Sequence, residues 1–275
     1  MGDKEYYEEI AKQHTGIQAV MHSSKPLAWY RHFLETKVLR RYLDDGNGNR
    51  DILDIGCGNG RFFPLFWKKG YQIYGVDFSK ELINQACITY CGDPWATSIE
   101  QYPLAIFPPP HLKVSNSAKL PYKKQEFDYV FLILLLPHDD EKIFKQTILE
   151  VKRVLKKGGK MFIIDEPDTT GSVWNADTIK LVLGDNFQLI EDRFIRSDAA
   201  SRLLSKNSYK DIKSVNASKE NKIQGNIFKD LIKIFINIWI DIPSIIFRRK
   251  GSGFERLLIY ENKKDNTIRI NLPPH

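Results

Sequence analysis

The sequence has too few cysteines and too little glycine and proline for several classes of protein. Only 3 of its 275 residues are cysteine, which excludes a small disulfide-stapled fold and indicates a reducing compartment. Glycine (17) and proline (13) are not in excess, so collagen-like and low-complexity chains are excluded. The first residues, MGDKEYYEEIAKQH, are charged and lack the apolar segment of a signal peptide. We therefore expect a cytoplasmic globular protein.

The charge of the chain is distributed unevenly. Hydrophobic residues make up 42% and charged residues 27%, which excludes global disorder. The net charge is +7, but residues 199–275 hold 15 Lys and Arg against 7 Asp and Glu, whereas residues 1–198 hold 26 against 27. This distribution does not predict a protein whose whole surface binds nucleic acid. It does allow a local basic patch in the last quarter of the chain.

Strand and helix patterns alternate along most of the chain. After a helical region that ends at the turn 45–48, the apolar segment 51–55 predicts a buried strand. Further strands are predicted at residues 72–76, 112–115, 129–134, 161–164, 188–195 and 254–260, and helices at 61–69, 80–90, 141–156 and 173–183. Ser79 is expected to cap the helix 80–90, and Gly158-Gly159 to form a turn. This alternation predicts an α/β protein whose parallel sheet is covered by helices on both faces.

A glycine-rich loop follows the first predicted strand. Gly56, Gly58 and Gly60 stand where ligands of open α/β sheets bind, and Asp77 ends the second strand. A carboxylate there can accept hydrogen bonds from both hydroxyls of a ribose. The dinucleotide fingerprint fails because Arg61 takes the place of its third glycine, and no Gly-Lys-Ser/Thr of a P-loop follows.

Four stretches of the chain resemble the motifs of one enzyme family, in their order and spacing. They are LDIGCGNGRF (53–62), GVDFS (75–79), NSAKLPYKKQEFDYV (116–130) and VLKKGGKMFIID (154–165). Together they resemble class I S-adenosylmethionine-dependent methyltransferases of the small-molecule type. The resemblance implies a Rossmann-like, doubly wound sheet of seven mostly parallel strands, with S-adenosylmethionine as the cofactor.

The resemblance also implies which residues bind the cofactor. They are Asp54, Gly56, Cys57, Gly58 and Gly60 around the loop, Asp77 at the ribose hydroxyls, Phe78, Asn116 and Ser117 around the adenine, and Leu132 and Ile133 beside the methionine moiety. Asn116 stands where the family often has aspartate, and its amide oxygen can still accept a hydrogen bond. No nucleophilic role is expected for Cys57.

A general base is expected near the ends of the fourth and fifth strands. His138 is the first candidate, because the ordinary pKa of histidine suits proton transfer near neutral pH. Asp139 and Asp165 are further candidates. Alternatively, His138 and Asp139 cap the following helix, or Asp139, Asp165 and Asp168 bind a divalent metal ion as in catechol-type members of the family. Because no matching ligand spacing supports a metal, we predict no metal site.

The pattern of predicted helices and strands divides the chain into four parts. We expect an N-terminal helical cap (1–50), a cofactor-binding core (51–198), a helical insertion (199–253), and a last strand with a tail (254–275). Residues 227–247 of the insertion are mostly apolar but include four charged side chains. These charges argue against a transmembrane span. This segment is expected as a lid over the acceptor; packed core, a dimer contact and a membrane-surface helix are the alternatives.

The expected activity is methyl transfer (EC 2.1.1.-) to an oxygen or nitrogen atom of a small metabolite, a sugar or a lipid-like acceptor. Two alternatives stay open. One is an RNA methyltransferase that uses the basic last quarter, although the chain has no recognisable RNA-binding appendage and nucleic acid is not the expected acceptor. The other is a catalytically silent module that binds the cofactor. The protein is expected as a monomer or a homodimer.

Overall fold

The computed structural model describes residues 3–21, 25–47, 49–91, 108–136, 140–166, 175–196, 231–232, 234–239 and 255–263. The helices are α1 (Asp3–Gln13), α2 (Ile17–Val20), α3 (Lys25–Leu39), α4 (Phe63–Lys68), α5 (Lys80–Tyr90), α6 (Glu141–Val154) and α7 (Ala176–Leu183). The strands are β1 (Asp51–Ile55), β2 (Gln72–Asp77), β3 (His111–Val114), β4 (Phe127–Ile133), β5 (Leu155–Asp165), β6 (Phe187–Arg196) and β7 (Glu255–Asn262). Residues 231–232 and 234–239 are also helical, and we call them the insertion helix.

The strands form one seven-stranded sheet in the order β3-β2-β1-β4-β5-β7-β6. The five strands from β3 to β5 run parallel, whereas β7 lies antiparallel between β5 and β6. The predicted Rossmann-like, mostly parallel α/β sheet is therefore confirmed. β1 and β4 lie side by side at its centre, which places the segments after them at the crevice where such sheets bind ligands.

Local sequence explains where the central elements begin and end. In β1, Ile52, Leu53 and Ile55 are buried, as a strand covered on both faces requires. The hydroxyl of Ser79 accepts a hydrogen bond from the backbone N–H of Leu82 at 3.1 Å, so the predicted cap of α5 is confirmed.

The glycine pair 158–159 does not form the expected turn. β5 begins at Leu155, directly after α6, and runs through both glycines. A Cβ on Gly159 would lie 2.7 Å from the carbonyl oxygen of Asp128, at the point where the pairing of β4 and β5 shifts register. Gly159 is therefore a site of close strand approach, a role that glycine also has within strands, and Gly158, with φ +77°, lies in the bulge by which residues 156–159 face Asp128.

Two apolar cores lie on opposite faces of the sheet. On one face, Phe66 of α4 packs against Phe131, which stacks on Phe162 of the neighbouring strand with ring centroids 4.8 Å apart. On the other face, Phe144 and Ile148 of α6 are fully buried. The two helical layers fix the backbone of the central strands and thereby the loops at their carboxyl ends.

Among its described residues, the insertion helix contacts the core that contains α3 and α4 through Ile234, and it buries Asn237. Phe235 and Trp239 are 64% and 71% exposed. The rest of the expected lid, residues 227–230, 233 and 240–247, lies outside the described residues, and its role stays a prediction. Within the described part of the chain, no helix is both long and apolar enough to cross a membrane.

Candidate functional site

The glycine loop begins where β1 ends and is fastened to β2. The backbone N–H groups of Gly56 and Cys57 both donate to the carbonyl oxygen of Val76, at 2.8 and 3.0 Å. Gly56 has φ +72° and Gly58 has φ +54°, which is the left-handed region that favours glycine. The loop therefore turns tightly at the carboxyl edge of the sheet.

Asp77 joins the end of β2 to this loop. Its Oδ2 accepts a hydrogen bond from the N–H of Gly58, and its Oδ1 accepts one from the N–H of Ser79, both at 2.9 Å. The side chain is 6% exposed, and burial raises the pKa of its carboxyl group, while the two backbone hydrogen bonds oppose that change. Each oxygen keeps a second lone pair, so this carboxylate can still accept ribose hydroxyls.

Gly56 and Gly58 form a cradle in which a residue with a Cβ atom would clash with its neighbours. A Cβ on Gly56 would lie 2.7 Å from Cδ1 of Leu135, and one on Gly58 would lie 2.6 Å from Cγ1 of Val20. The edge of the loop thus has bare backbone beside the Asp77 carboxylate. Backbone without side chains and an adjacent acid are what the methionine and ribose parts of S-adenosylmethionine require, so the residues fit this cofactor.

Asp54, the acid inside β1, is 2% exposed. Burial raises the pKa of its carboxyl group to about 7; the charge of Asp77 adds to this effect and that of Arg61 opposes it. The carboxyl group therefore changes its proton occupancy near neutral pH. A group of this kind at the carboxyl end of a central strand is typical of a functional site.

Two members of the predicted cofactor set point away from the cradle. The thiol of Cys57 is buried in the core, and burial raises its pKa well above the ordinary value, as expected for a residue without a nucleophilic role. A Cβ on Gly60 would meet the rings of Phe63 and Tyr90, at 2.5 and 2.7 Å. Gly60 therefore permits α4 and α5 to pack closely, and Cys57 can offer only its backbone to a ligand.

The residues predicted around the adenine lie at the same edge of the sheet. The N–H of Ser115 donates to the carbonyl oxygen of Asp77 at 2.8 Å, which ties the end of β3 to the end of β2. Asn116 is exposed, and its Oδ1 accepts from the N–H of Ala118, while the hydroxyl of Ser117 lies 3.0 Å from that of Thr147. Phe78, which follows Asp77, is partly buried.

Leu132 and Ile133 end β4 beside the loop, and Leu132 pairs with Ile55 of β1. Both side chains are buried. The structure thus brings the predicted cofactor residues of β1, β2 and β4 to one edge, and their contacts with the cofactor stay predictions.

Of the three predicted catalytic residues, the structure describes Asp165. His138 and Asp139 lie outside the described residues. Asp165 is 2% exposed; its Oδ2 accepts from the N–H of Leu136 at 3.0 Å and its Oδ1 from that of Glu166 at 2.8 Å. These contacts brace the segment after β4 against β5, and the catalytic role of Asp165 stays a prediction. No group of three or more His, Cys, Asp and Glu in the described ranges could hold a metal ion.

An apolar roof over the loop was not predicted from the sequence. It consists of Ile17, Val20 and Met21 from the N-terminal cap and Leu134 and Leu135 from the segment after β4; the Leu134 side chain packs with Ile17 and Met21. Leu134 has φ +56°, a strained conformation for a residue with a Cβ, and its N–H donates to the carbonyl oxygen of Ile164 at 2.8 Å. The run of three leucines after β4 was the available signal.

A buried ionic network beside the loop was also missed. Arg31 of α3 contacts three carboxylates, Glu35 at 3.1 Å, Glu166 at 2.9 Å and Glu255 at 2.8 Å. Arg61, which follows the glycine loop, also binds Glu35. The network joins α3, the loop, the end of β5 and the start of β7. Its members are far apart in sequence, so no local pattern marks it.

Comparison with known proteins finds a methyltransferase domain in the central part of the chain. A model described as a methyltransferase domain matches residues 53–163, which contain the loop, Asp77 and β4. An uncharacterized protein of Methanocaldococcus jannaschii is 27% identical over 203 residues, which is 73% of this chain and 78% of that protein. Demethylmenaquinone methyltransferase of Symbiobacterium thermophilum is 23% identical over 59% of this chain and 58% of its own length.

A solved structure shares the fold. Magnesium protoporphyrin IX methyltransferase from Synechocystis PCC 6803, solved with bound S-adenosylmethionine, superposes with a TM-score of 0.51 and 18% identity over 71% of this chain and 86% of that chain. With the glycine cradle, the Asp77 carboxylate and the strand order, these findings confirm the resemblance of the four motifs. Residues 53–163 thus match a methyltransferase domain, and the chain is similar to class I S-adenosylmethionine-dependent methyltransferases, which supports S-adenosylmethionine as its cofactor.

Proposed function

We propose that the protein transfers a methyl group to an oxygen or nitrogen atom of an apolar, lipid-like small molecule. The apolar roof is the observation that carries this proposal. Val20 and Leu135 lie directly over Gly58 and Gly56, and Leu134 lies beside them. An acceptor must approach the cofactor past these side chains, and a polar sugar would leave its hydroxyl groups without partners there.

The chain supplies binding, orientation and the exclusion of water. S-adenosylmethionine, when bound, supplies an electrophilic methyl group on a sulfonium centre. Asp77 and the glycine loop hold the cofactor, and the roof keeps water from the acceptor atom. His138 follows β4 and accepts the proton that a hydroxyl or amine acceptor must lose. Orientation of this kind contributes on the order of 7–11 kcal/mol to lowering a barrier.

Two further observations support an apolar acceptor. The relative from Symbiobacterium thermophilum is named for its action on demethylmenaquinone, a quinone. The insertion helix exposes Phe235 and Trp239, which gives the protein an apolar surface outside its core. Both fit an acceptor that is delivered from an apolar phase.

Turnover with methyl-labelled cofactor tests the proposal. The purified protein is incubated with a panel of apolar hydroquinones and phenols in detergent micelles, with sugars, and with transfer RNA. Label is expected in the apolar group only. Label in sugars or in RNA would overturn the proposal, and binding of S-adenosylhomocysteine without turnover on any cell extract would indicate a silent module.

A pair of leucine variants tests the role of the roof. Leu135→Ser places a hydroxyl over Gly56 and is expected to lower turnover of the apolar acceptor at least tenfold while S-adenosylhomocysteine still binds. Leu149→Ser, at a leucine of α6 that is 44% exposed, is the control and is expected to leave turnover unchanged. Equal turnover by both variants would contradict the roof as the acceptor wall.

A further inference from the structure

A cavity lies beside the outer side of α4 and α5. It has a volume of about 660 Å³ and opens between α3, α4, α5 and the turn that joins α1 to α2. Sites for small molecules have volumes of about 300–1,000 Å³. None of the predicted cofactor-binding residues lines it. Of the glycine-loop region, only Asn59 and Arg61 reach its wall.

Positive charge dominates the wall of this cavity. Arg40, Arg61 and Lys68 line it, and no carboxylate does among the residues described. Arg61 is held by Glu35 behind the wall. Arg40 and Lys68 make no ion pair within the described ranges, and both are exposed. Their charges are thus available to an anion that enters the cavity.

Two uncharged groups add hydrogen-bond donors. The hydroxyl of Thr36 is buried on the cavity wall and has no hydrogen-bond partner among the described residues, which is costly unless a ligand supplies one. Nδ1 of His32 lies 3.2 Å from Nη1 of Arg61, and arginine can only donate, so the ring proton of a neutral His32 lies on Nε2. Burial and the charge of Arg61 lower the pKa of His32 to about 4, which keeps the ring neutral at pH 7.

Part of the remaining wall is apolar. Trp29 and Ile88 line the cavity while 53% and 64% exposed, a high exposure for side chains of this size. The turn on the opposite side is fastened, because Nδ2 of Asn59 donates to the carbonyl oxygen of Gly16 at 2.6 Å and Nε2 of Gln85 to that of Ala11 at 2.6 Å. The cavity is therefore preformed, with a cationic side and an apolar side.

We infer that this cavity binds a small organic phosphate with an aromatic or aliphatic body. Arg40 and Lys68 neutralise the phosphate, the Thr36 hydroxyl donates to one of its oxygens, and Trp29 and Ile88 cover the apolar body. The cavity shares Ile17 with the apolar roof but contains none of the predicted cofactor-binding residues, so this inference does not depend on the acceptor proposed above.

Calorimetry with three probes tests the inference on the purified full chain. The probes are 1-naphthyl phosphate, its neutral counterpart 1-naphthol, and inorganic phosphate. Naphthyl phosphate is expected to bind at least tenfold more tightly than either of the others, because only it engages both sides of the cavity. Equal affinity for naphthyl phosphate and naphthol would overturn the inference.

Matched variants locate the site. Arg40→Ala with Lys68→Ala is expected to weaken naphthyl phosphate binding at least tenfold, whereas Lys37→Ala with Lys142→Ala, which removes two exposed charges elsewhere, leaves it unchanged. Thr36→Val keeps the shape of the side chain, so it is expected to weaken binding about threefold or more without lowering the melting temperature.

Three outcomes would overturn the proposal. The first is an equal loss of binding in the two double variants. The second is unchanged binding in Thr36→Val. The third is that an RNA oligonucleotide binds in a way that depends on Arg40 and Lys68, while naphthyl phosphate does not bind. Because binding of S-adenosylhomocysteine is measured in the same samples, a failure of this site is distinguishable from a failure of the methyltransferase site.

Discussion

The guanidinium group of Arg31 donates from Nε and Nη2 to Oε1 of Glu255, at 3.0 and 2.8 Å, across 224 residues of chain. This pair joins α3 to the first residue of β7, and Glu255 is fully buried. Burial alone would lower the pKa of Arg31, but Glu255, Glu35 and Glu166 raise it above its ordinary value. The N-terminal cap is therefore held to the sheet by buried charges in addition to apolar packing.

Removing one member of this pair is expected to destabilise the fold strongly. Glu255→Ala leaves the charge of Arg31 partly uncompensated, so the free energy of unfolding should fall by about 3–5 kcal/mol, measured by urea denaturation. Asp192→Ala is the control, because Asp192 pairs with Arg256 at the partly exposed edge strand β6 and should cost about 1 kcal/mol. Equal losses in the two variants would contradict a dominant role for the buried pair.

The raised pKa of Asp54 predicts a pH dependence of stability. Its pKa is about 7 in the fold and about 3.9 in the unfolded chain, so the folded state binds the proton more tightly. The stabilisation is complete below pH ~4 and is lost as the pH rises toward 7, by a few kcal/mol at most. Unfolding free energies of the cofactor-free protein measured between pH 4 and 8 check this.

The control for this prediction is Asp54→Asn, which cannot titrate. The unfolding free energy of the native protein minus that of the variant should fall as the pH rises from ~4 and become constant above pH ~7. The comparison is needed because His32, whose pKa is lowered to about 4, contributes the opposite slope: its stabilisation is lost as the pH falls from ~6.5 toward 4. A pH-independent difference would show that Asp54 is ionised in the fold throughout.

Asp77 is expected to control cofactor binding without controlling the fold. Asp77→Ala removes the acceptor for ribose hydroxyls and should weaken binding of S-adenosylhomocysteine at least a hundredfold, measured by calorimetry. Asp128→Ala is the matched control, because Oδ2 of Asp128 also accepts a backbone N–H, that of Asp51, at the opposite end of the sheet. Loss of cofactor binding in both variants would point to a general effect on the strands.

Leu134 offers a test of stored backbone strain. Glycine normally destabilises a position relative to alanine, but at φ +56° it avoids the clash of a Cβ. Leu134→Gly should therefore be more stable than Leu134→Ala by about 1 kcal/mol, although both lose the packing against Ile17 and Met21. Thermal unfolding of both variants measures the difference, and greater stability of the alanine variant would exclude strain at this position.

The central sheet could be predicted from the sequence because its signals are local. β1 and α5 have the predicted bounds, since an apolar run between turn residues marks the strand and the Ser79 cap marks the helix. The glycine loop and Asp77 were likewise found by their position after strands. Gly158-Gly159 was misinterpreted, because a glycine pair predicts a turn unless the neighbouring strand is known to approach closely.

The rest of the site depends on contacts between distant parts of the chain. Val20 lies over Gly58, and Arg31 binds Glu255, only because the N-terminal cap folds back across the carboxyl edge of the sheet. The sequence around these residues has no local pattern that predicts either contact. The cationic cavity escaped prediction for the same reason, since Arg40 follows α3, Lys68 ends α4, and each by itself is typical of a solvated charge.

The insertion is expected to serve the acceptor and not the cofactor. Deleting residues 225–249 should leave the affinity for S-adenosylhomocysteine unchanged and abolish turnover of the apolar acceptor. The double variant Phe235→Ser with Trp239→Ser is a milder test: both side chains are mostly exposed, so the melting temperature should hold while turnover falls at least tenfold. Normal turnover in the double variant would show that this apolar surface has no part in the reaction. Loss of cofactor binding in the deletion variant would instead make the insertion a structural element, which the packing of Ile234 against the core would then explain.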